Sequence, residues 1–184
     1  MTRQQLEHVI RAAAAIADVE DIVVIGSQAV LGEFPQAPAE LLISVEADVY
    51  PLRFPERGDL IDGSIGEGSP FQDSFGYYAH GVDETTAILP EGWKDRMVVI
   101  TGENTRHARG WCPEVHDLAI AKYVAGREKD LEYNGVLARH GMTIREVLLA
   151  RLGVTEIDEA RKCLAESRIR SDFSRLHVSS DTGC

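Results

Sequence analysis

The stretch that decides the fold reads IVVIGS at residues 22–27 and, after a connecting segment, SVEADVY at residues 44–50. The first part predicts a buried strand that ends in a Gly-Ser turn, because an uninterrupted aliphatic run precedes the glycine. The second part predicts another strand, with Glu46 and Asp48 two positions apart. Side chains two apart in a strand share one face of the sheet. The sequence therefore predicts two carboxylates on one face and small apolar side chains on the other.

The paired carboxylates indicate a cation site. Two carboxylates on one face repel each other and lose hydration unless a cation lies between them. Hard cations such as Mg²⁺ prefer carboxylate oxygens and leave coordination positions for phosphate. Glu46 and Asp48 are therefore the predicted metal ligands and catalytic acids, and a solvated strand face without a metal is the alternative. Ser44 is expected on the same face, either binding a phosphate oxygen or lying there as a strand-edge hydroxyl.

The Gly-Ser turn is a candidate phosphate site. Gly26 would let the backbone approach a phosphate, and the helix expected to begin at Ser27 would offer free N–H groups to an anion. An ordinary strand-to-helix turn, with Ser27 as the N-cap residue, is the alternative.

A charged group ends an otherwise apolar helix in the second half of the chain. It contains Lys122, Arg127, Lys129 and Asp130. A lysine on an apolar helix face predicts a buried stem whose ammonium reaches an anion. The alternative is a set of cations that stabilise a helix C-terminus.

His80 lies in another expected strand, between Ala79 and Gly81. A single strand histidine is more often a hydrogen-bonded core residue than a catalytic one. The sequence has neither Ser-His-Asp nor Walker-type spacing, which argues against triad hydrolases and P-loop NTPases.

Hydrophobic periodicity predicts an α/β (α+β) fold, in which strands pack against helices and the second half of the chain is helical. Expected helices cover residues 2–17, 27–32, 54–65, 114–127, 130–140, 143–152 and 157–167, and expected strands cover 22–25, 42–49, 76–82 and 97–101, with a short edge strand at 111–112 and a loop at 66–74. The predicted organisation is an α/β core over residues 1–112 and a helical portion over 113–170, packed on the core as one compact unit. Residues 171–184 are rich in Ser and Asp and are expected to form a flexible tail.

The composition of the 184 residues narrows the class of protein. A formal net charge of −11 argues against a broad electrostatic grip on nucleic acid, although it allows a local basic patch. Three scattered cysteines fit a reduced cytosolic protein. No signal peptide and no membrane-spanning run are evident, so we predict a cytoplasmic protein without a membrane partner.

Taken together, Gly26-Ser27, Ser44-x-Glu46-x-Asp48 and the segment 122–130 resemble the AbiEii-like nucleotidyltransferase-fold family. That family includes toxins of abortive-infection toxin–antitoxin pairs, and the chain is similar over about residues 5–150 to the shorter MenT-type toxins of mycobacteria. The resemblance implies a nucleotidyltransferase-like mixed sheet and transfer of a nucleotide from an NTP, with Mg²⁺, to tRNA acceptor ends. It also implies an antitoxin protein as a partner.

The resemblance implies roles for individual residues. Gly26 and Ser27 match the phosphate-side Gly-Ser motif, and Ser44 matches the small hydroxyl residue just before the metal-binding acids Glu46 and Asp48. Lys122 matches the lysine that contacts the triphosphate, and Asp130 matches a late catalytic aspartate. Arg127 is expected from its charge alone to bind the nucleotide and offset phosphate charge. Two departures stand out: the first acid is Glu where Asp is commoner, and His80 stands where a third carboxylate would be expected. The alternatives are therefore a fold member that binds a nucleotide or a partner protein without turnover, and an unrelated α/β ligand-binding protein.

Overall fold

The structure is a computed structural model that describes residues 1–179, with side-chain surroundings for residues 1–174. The described strands are β1 Asp21–Ile25, β2 Glu46–Pro51, β3 Tyr78–Gly81, β4 Val98–Ile100 and β5 Arg109–Cys112. The described helices are α1 Arg3–Ala17, α2 Val30–Glu33, α3 Gly58–Ile65, α4 Pro70–Phe75, α5 Val115–Ala125, α6 Glu128–Arg139, α7 Arg145–Gly153 and α8 Glu159–Ser179. No helix within this part of the chain combines the length and apolar character needed to cross a membrane.

The chain divides into two compact units. One unit comprises residues 1–87 and 94–114 and carries the sheet, whereas the other comprises residues 88–93 and the chain from Val115 onward and carries helices α5–α8. This division falls close to the boundary expected after residue 112. The packing of the helical portion on the α/β core stays a prediction.

The sheet is mixed and has the strand order β3-β2-β1-β5-β4. Strand β1 runs antiparallel to β2 and parallel to β5, β2 runs parallel to β3, and β4 runs antiparallel to β5. A mixed sheet with flanking helices and a helical C-terminal part confirms the expected fold class. The expectation of an edge strand at residues 111–112 was wrong, because β5 lies between β1 and β4. Its interior position is secured by Asp21, which accepts hydrogen bonds from Arg109 and Trp111.

Helices α1, α2 and α3 pack on the face of the sheet that carries Gly110 and Val49. A Cβ atom on Gly110 would lie 2.3 Å from Ile10 Cδ1, so glycine is what allows α1 to approach β5. Likewise, a Cβ atom on Gly32 in α2 would lie 2.8 Å from Cys112 Cβ. The apolar side of β2 is thereby buried beneath helices, and Glu46 and Asp48 belong to the opposite face.

Helix α1 confirms the first expected helix and has a complete capping box. The Thr2 hydroxyl accepts the Gln5 N–H, while the Gln5 side chain accepts the Thr2 N–H at 2.7 Å. The loop expected over residues 66–74 was wrong, since α4 begins at Pro70. Ser69 caps this short helix, and Phe71 packs against His8 of α1. Aromatic contacts with a distant helix stabilise a segment whose local sequence is typical of a loop.

Two further expectations needed correction at element ends. Strand β2 begins at Glu46, where the sequence predicted a start at residue 42, so Ser44 precedes the strand. The Ser44 hydroxyl instead accepts the Glu46 N–H at 3.1 Å and forms a local turn. Helix α8 continues through Ser179, so the tail expected from residue 171 is helical over residues 171–179. Residues 180–184 of that tail lie outside the described part of the chain.

Candidate metal and nucleotide site

The parallel pairing of β2 with β3 brings four polar side chains to one face of the sheet. Glu46 lies opposite Tyr78, and Asp48 lies opposite His80. Because paired residues of neighbouring strands share a face, these side chains form a two-by-two patch on the face opposite α1 and α3. We call these four residues the acid patch.

The acid patch converges on the imidazole of His80. Its Nδ1 atom lies 3.2 Å from Glu46 Oε1 and 3.2 Å from Asp48 Oδ1. One ligand atom from each of the three residues lies within 4.8 Å of the others, so the group can hold a metal ion. Glu46 and Asp48 are half-buried, whereas His80 is exposed, and this leaves the group open to solvent. Within the described residues, this is the cluster with a metal-ligand arrangement.

Glu46 is held in the ionised form by its neighbours. Burial raises the pKa of its carboxyl, but hydrogen bonds with Asp48, Tyr78 and His80 and the His80 charge together lower the pKa below its ordinary value. The Tyr78 hydroxyl donates to Glu46 Oε2 at 3.1 Å, while Oε1 is the oxygen beside His80. The Tyr78 hydroxyl therefore orients the Glu46 carboxylate by binding the oxygen that does not contact His80.

The pKa of Asp48 is shifted in the opposite direction to that of Glu46. Burial, the hydrogen bond with Glu46 and the Glu46 charge raise the pKa of Asp48 to about 6, although His80 acts in the opposite direction. Two carboxyl groups this close compete for one negative charge, so one of them retains a proton into the weakly acidic range. A divalent cation bound by both would replace that proton. The donor chemistry therefore fits a cation.

Gly26 lies directly against the acid patch. Its φ is +80°, and a Cβ atom placed on it would lie 2.4 Å from Asp48 Oδ2. Strand β1 ends at Ile25, which pairs with Asp48, so the Gly-Ser turn begins where the carboxylate projects. Gly26 and the Asp48 carboxylate are therefore close neighbours, and a phosphate contact at this turn stays a prediction. Ser27, the next residue, is half-buried and starts a 3-10 turn.

Ser44 is hydrogen-bonded to Gln28 and to the Glu46 backbone. Its carbonyl oxygen accepts a hydrogen bond from Gln28 Nε2 at 3.1 Å, and its hydroxyl contacts the Glu46 backbone. Gln28 is 1% exposed and connects the turn after β1 to the segment before β2. Ser44 thus shapes the approach to Glu46 through the backbone, and a phosphate contact for its hydroxyl stays a prediction.

A comparison with protein-family models gives a match that covers the acid patch. Residues 4–138 match the family described as "Nucleotidyltransferase of unknown function (DUF6036)". The chain belongs to this family. The matched segment includes the acid patch and Gly26, as well as helix α5 and most of α6. Neither the curated proteins nor the solved structures contain a match to the chain.

The family match also covers a second charged group, in the helical unit. Lys122 is 6% exposed, and its Nζ atom lies 3.3 Å from Asp130 Oδ1 and 4.2 Å from the centre of the Tyr133 ring. Arg127 Nε donates to Asp130 Oδ2 at 2.6 Å. Burial lowers the pKa of the Lys122 ammonium, and the bond and charge of Asp130 oppose that effect.

Lys122, Arg127 and Asp130 therefore form one ion cluster inside the unit that contains α5 and α6. This arrangement stabilises the junction of the two helices, because the buried carboxylate of Asp130 has two cationic partners. A triphosphate contact for Lys122 and Arg127, a catalytic role for Asp130 and the facing of Lys122 toward Glu46 and Asp48 stay predictions.

Sequence reasoning underrated two members of the acid patch. The sequence favours a core role for His80, although it also stands where a third carboxylate would be expected, and it gives no signal for Tyr78, because both lie in a short apolar strand without a motif of its own. Their alternation at positions 78 and 80 repeats the spacing of Glu46 and Asp48. Only the parallel register of β2 and β3 aligns the two pairs.

Proposed function

We propose that this nucleotidyltransferase-family protein transfers a nucleotide from an NTP to an RNA acceptor with a divalent cation, Mg²⁺ being the expected ion. The observation that carries the proposal is the acid pair of Glu46 and Asp48, which converges beside the glycine turn at Gly26. Paired acids next to a backbone turn suit the chemistry of a metal-bound triphosphate. Membership of the family supports the reaction class.

The reaction is a displacement at the α-phosphorus. A hydroxyl oxygen of the acceptor forms a bond to the α-phosphorus, the bond from that phosphorus to the bridging oxygen breaks, and pyrophosphate leaves with the electron pair. The acceptor hydroxyl loses its proton. A bound divalent cation supplies electrostatic stabilisation of the charge that develops on the phosphoryl oxygens.

The residues of the acid patch divide the remaining work. Glu46 and Asp48 would hold the cation, and the acceptor hydroxyl would lose its proton to one of these two carboxylates. Tyr78 keeps the Glu46 carboxylate in position. Gly26 leaves space in front of Asp48, where a side chain on the turn would collide with the carboxylate.

The finer proposal is that the acceptor is tRNA and that the protein is the toxin of a toxin–antitoxin pair. The motif set formed by Gly26-Ser27, Glu46, Asp48 and the segment 122–130 supports it through its resemblance to AbiEii-like and MenT-type proteins. A chain with a net charge of −11 would engage RNA through a small basic surface, so binding is expected to depend weakly on salt. An antitoxin protein would be the neutralising partner, in the cytoplasm.

The test is direct. The purified protein is incubated with each labelled NTP and total tRNA, with and without Mg²⁺, beside Asp48→Asn. Metal-dependent label on RNA with the wild type and not with the variant supports transfer. Induced expression in cells tests the toxin role separately, since arrested growth should require Asp48 and should be relieved by a neighbouring gene product.

A second function is a binding module that keeps the fold without turnover. His80 favours it, because a protonated imidazole 3.2 Å from each carboxylate could offset their charge in place of a metal. The binding module would bind an NTP or a protein partner with no label reaching RNA from any of the four NTPs. Saturable binding without transfer would decide for this second function.

A further inference from the structure

We propose that His80 is the third metal ligand of the acid patch, and that this nitrogen donor makes the site prefer first-row transition-metal ions, with Mn²⁺ as the probe, over Mg²⁺. The inference rests on the proposed metal-dependent function and goes beyond it by naming the donor set and the class of ion. It starts from the equal distances of 3.2 Å that separate His80 Nδ1 from Glu46 Oε1 and Asp48 Oδ1.

These distances suit ligands of one ion. Donor atoms bound at about 2.1 Å lie about 3.0 Å apart when they are neighbours in an octahedron and about 3.4 Å apart in a tetrahedron. Both distances from the imidazole nitrogen fall between those values. Both distances are therefore compatible with one ion bound to the imidazole and to each carboxylate, and one ligand atom of each residue lies within 4.8 Å of the other two.

The backbone supports the same conclusion. His80 is held opposite Asp48 by the parallel ladder of β2 and β3, so its ring cannot drift along the strand. Tyr78 occupies Oε2 of Glu46 and leaves Oε1 for the ion, as an outer hydrogen bond does at many metal sites. The His80 side chain is 51% exposed, which leaves room on the solvent side for water or phosphate oxygens.

The donor chemistry determines the preference. Mg²⁺ prefers oxygen ligands and gives up its water reluctantly, whereas imidazole suits Fe, Ni, Cu and Zn. Mn²⁺ binds most weakly of the first-row divalent ions and serves here as the paramagnetic probe. Replacing one carboxylate of an all-oxygen site with an imidazole also removes one negative charge. The set of two carboxylates and one imidazole therefore weakens Mg²⁺ binding more than Mn²⁺ binding.

One competing account uses the same distances. A protonated His80 could act as a fixed counter-ion between Glu46 and Asp48. The two accounts predict opposite signs for removal of the imidazole. Loss of a ligand weakens binding of the cation, whereas loss of a counter-ion leaves two unbalanced carboxylates and strengthens it.

In the experiment, metal-free full-length protein is titrated with Mn²⁺. Electron paramagnetic resonance measures the concentration of the free ion, and pulsed electron paramagnetic resonance measures the coupling of nitrogen to the bound ion. Competition with Mg²⁺ gives the preference. The variants are His80→Gln, which removes the donor, and His80→Asp, which restores an all-oxygen set. His107→Asn is the matched control, because His107 is exposed and lies outside the acid patch, and its positive φ of 65° is tolerated by asparagine.

The expected result is nitrogen coupling in the wild type and in His107→Asn, lost in both His80 variants. Mn²⁺ affinity should fall by about tenfold or more in His80→Gln, and His80→Asp should shift the preference toward Mg²⁺. Bound Mn²⁺ without nitrogen coupling, or tighter binding by His80→Gln, would overturn the His80 assignment while leaving the proposed function intact. Absence of Mn²⁺ binding, both alone and with a non-hydrolysable triphosphate analogue, would overturn both.

Discussion

Gly26 lies so close to Asp48 that no side chain fits between them: a Cβ atom on Gly26 would lie 2.4 Å from Asp48 Oδ2. The glycine also has a φ of +80°, which side chains rarely adopt. Two independent constraints thus require glycine where the turn after β1 meets the carboxylate. They can be separated experimentally, because the Asp48 carboxylate can be removed while the backbone conformation of Gly26 stays the same.

Gly26→Ala is expected to destabilise the protein by about 3 kcal/mol, because a φ of +80° with a ψ of −162° is a conformation restricted to glycine and the added Cβ atom collides with Asp48. The same substitution should cost less in an Asp48→Gly background, since the colliding carboxylate is gone. Denaturant unfolding of the wild type, the two single variants and the double variant measures both losses. Equal losses with and without the Asp48 carboxylate would show that the contact with Asp48 costs nothing.

Asp48→Asn and Glu46→Gln should each reduce the proposed nucleotide transfer by about a hundredfold or more, because each would remove a charged ligand of the proposed cation. The circular dichroism spectrum should be unchanged, as both side chains lie on the face away from helices α1 and α3. Asp59→Asn makes the same change in net charge at an exposed position in α3 and should keep full activity. Full activity of Asp48→Asn would exclude the acid patch as the catalytic site.

The stability of the metal-free protein should depend on the protonation of Asp48. Its folded-state pKa of about 6 exceeds the ordinary value of 3.8, so between these values the folded protein binds more protons than the unfolded chain. This contribution is fully present below pH 3.8 and is lost as the pH rises through about 6. The lowered pKa of Glu46 acts in the opposite direction, with a contribution that is lost as the pH falls.

The free energy of unfolding of the wild type should therefore fall, relative to that of Asp48→Asn, by on the order of 1 kcal/mol between pH 4 and pH 7. Urea unfolding at a series of pH values in the presence of a chelator measures it. A difference that stays constant with pH would mean that the two carboxyl groups do not share a charge.

The ion cluster of the helical unit allows a prediction that separates structure from catalysis. Lys122→Gln should lower the unfolding free energy by about 2 kcal/mol, less than for an isolated buried pair, because Arg127 still neutralises Asp130. A double-mutant cycle with Asp130→Asn should give a coupling energy of about 1 kcal/mol. If Lys122 also contacts the triphosphate, the KM for NTP will rise, and an unchanged KM would assign it to stability alone.

The core of the fold was readable from the sequence, for identifiable physical reasons. The aliphatic run of β1 and the alternation of Glu46 and Asp48 are local patterns, and α1 is marked by its capping box. Helix α4 was missed because it depends on aromatic contacts of Phe71 with His8, which are more than 60 positions away in the sequence. The order of strands was misjudged at β5, since a short strand carries no signal for its neighbours.

In the candidate site, too, the local features could be predicted from the sequence and the contacts between distant segments could not. The sequence predicts the two acids and the glycine turn, because spacing within one strand determines which side chains share a face. His80 and Tyr78 come from a strand about thirty residues later, and their place depends on the register of a parallel pair. Ser44 was expected inside the strand, but β2 begins at Glu46, and the Ser44 hydroxyl binds the Glu46 backbone.

The location of His80 would make the proposed donor set adjustable at one position. Strand β3 lies at the border of the sheet, and position 80 projects from its solvent side, so its side chain can be exchanged without repacking the interior. A single codon change there would convert the proposed nitrogen donor to an oxygen donor while Glu46 and Asp48 stay in place. The ion that the chain binds would then be set by one exposed residue, independently of the fold that holds the acids.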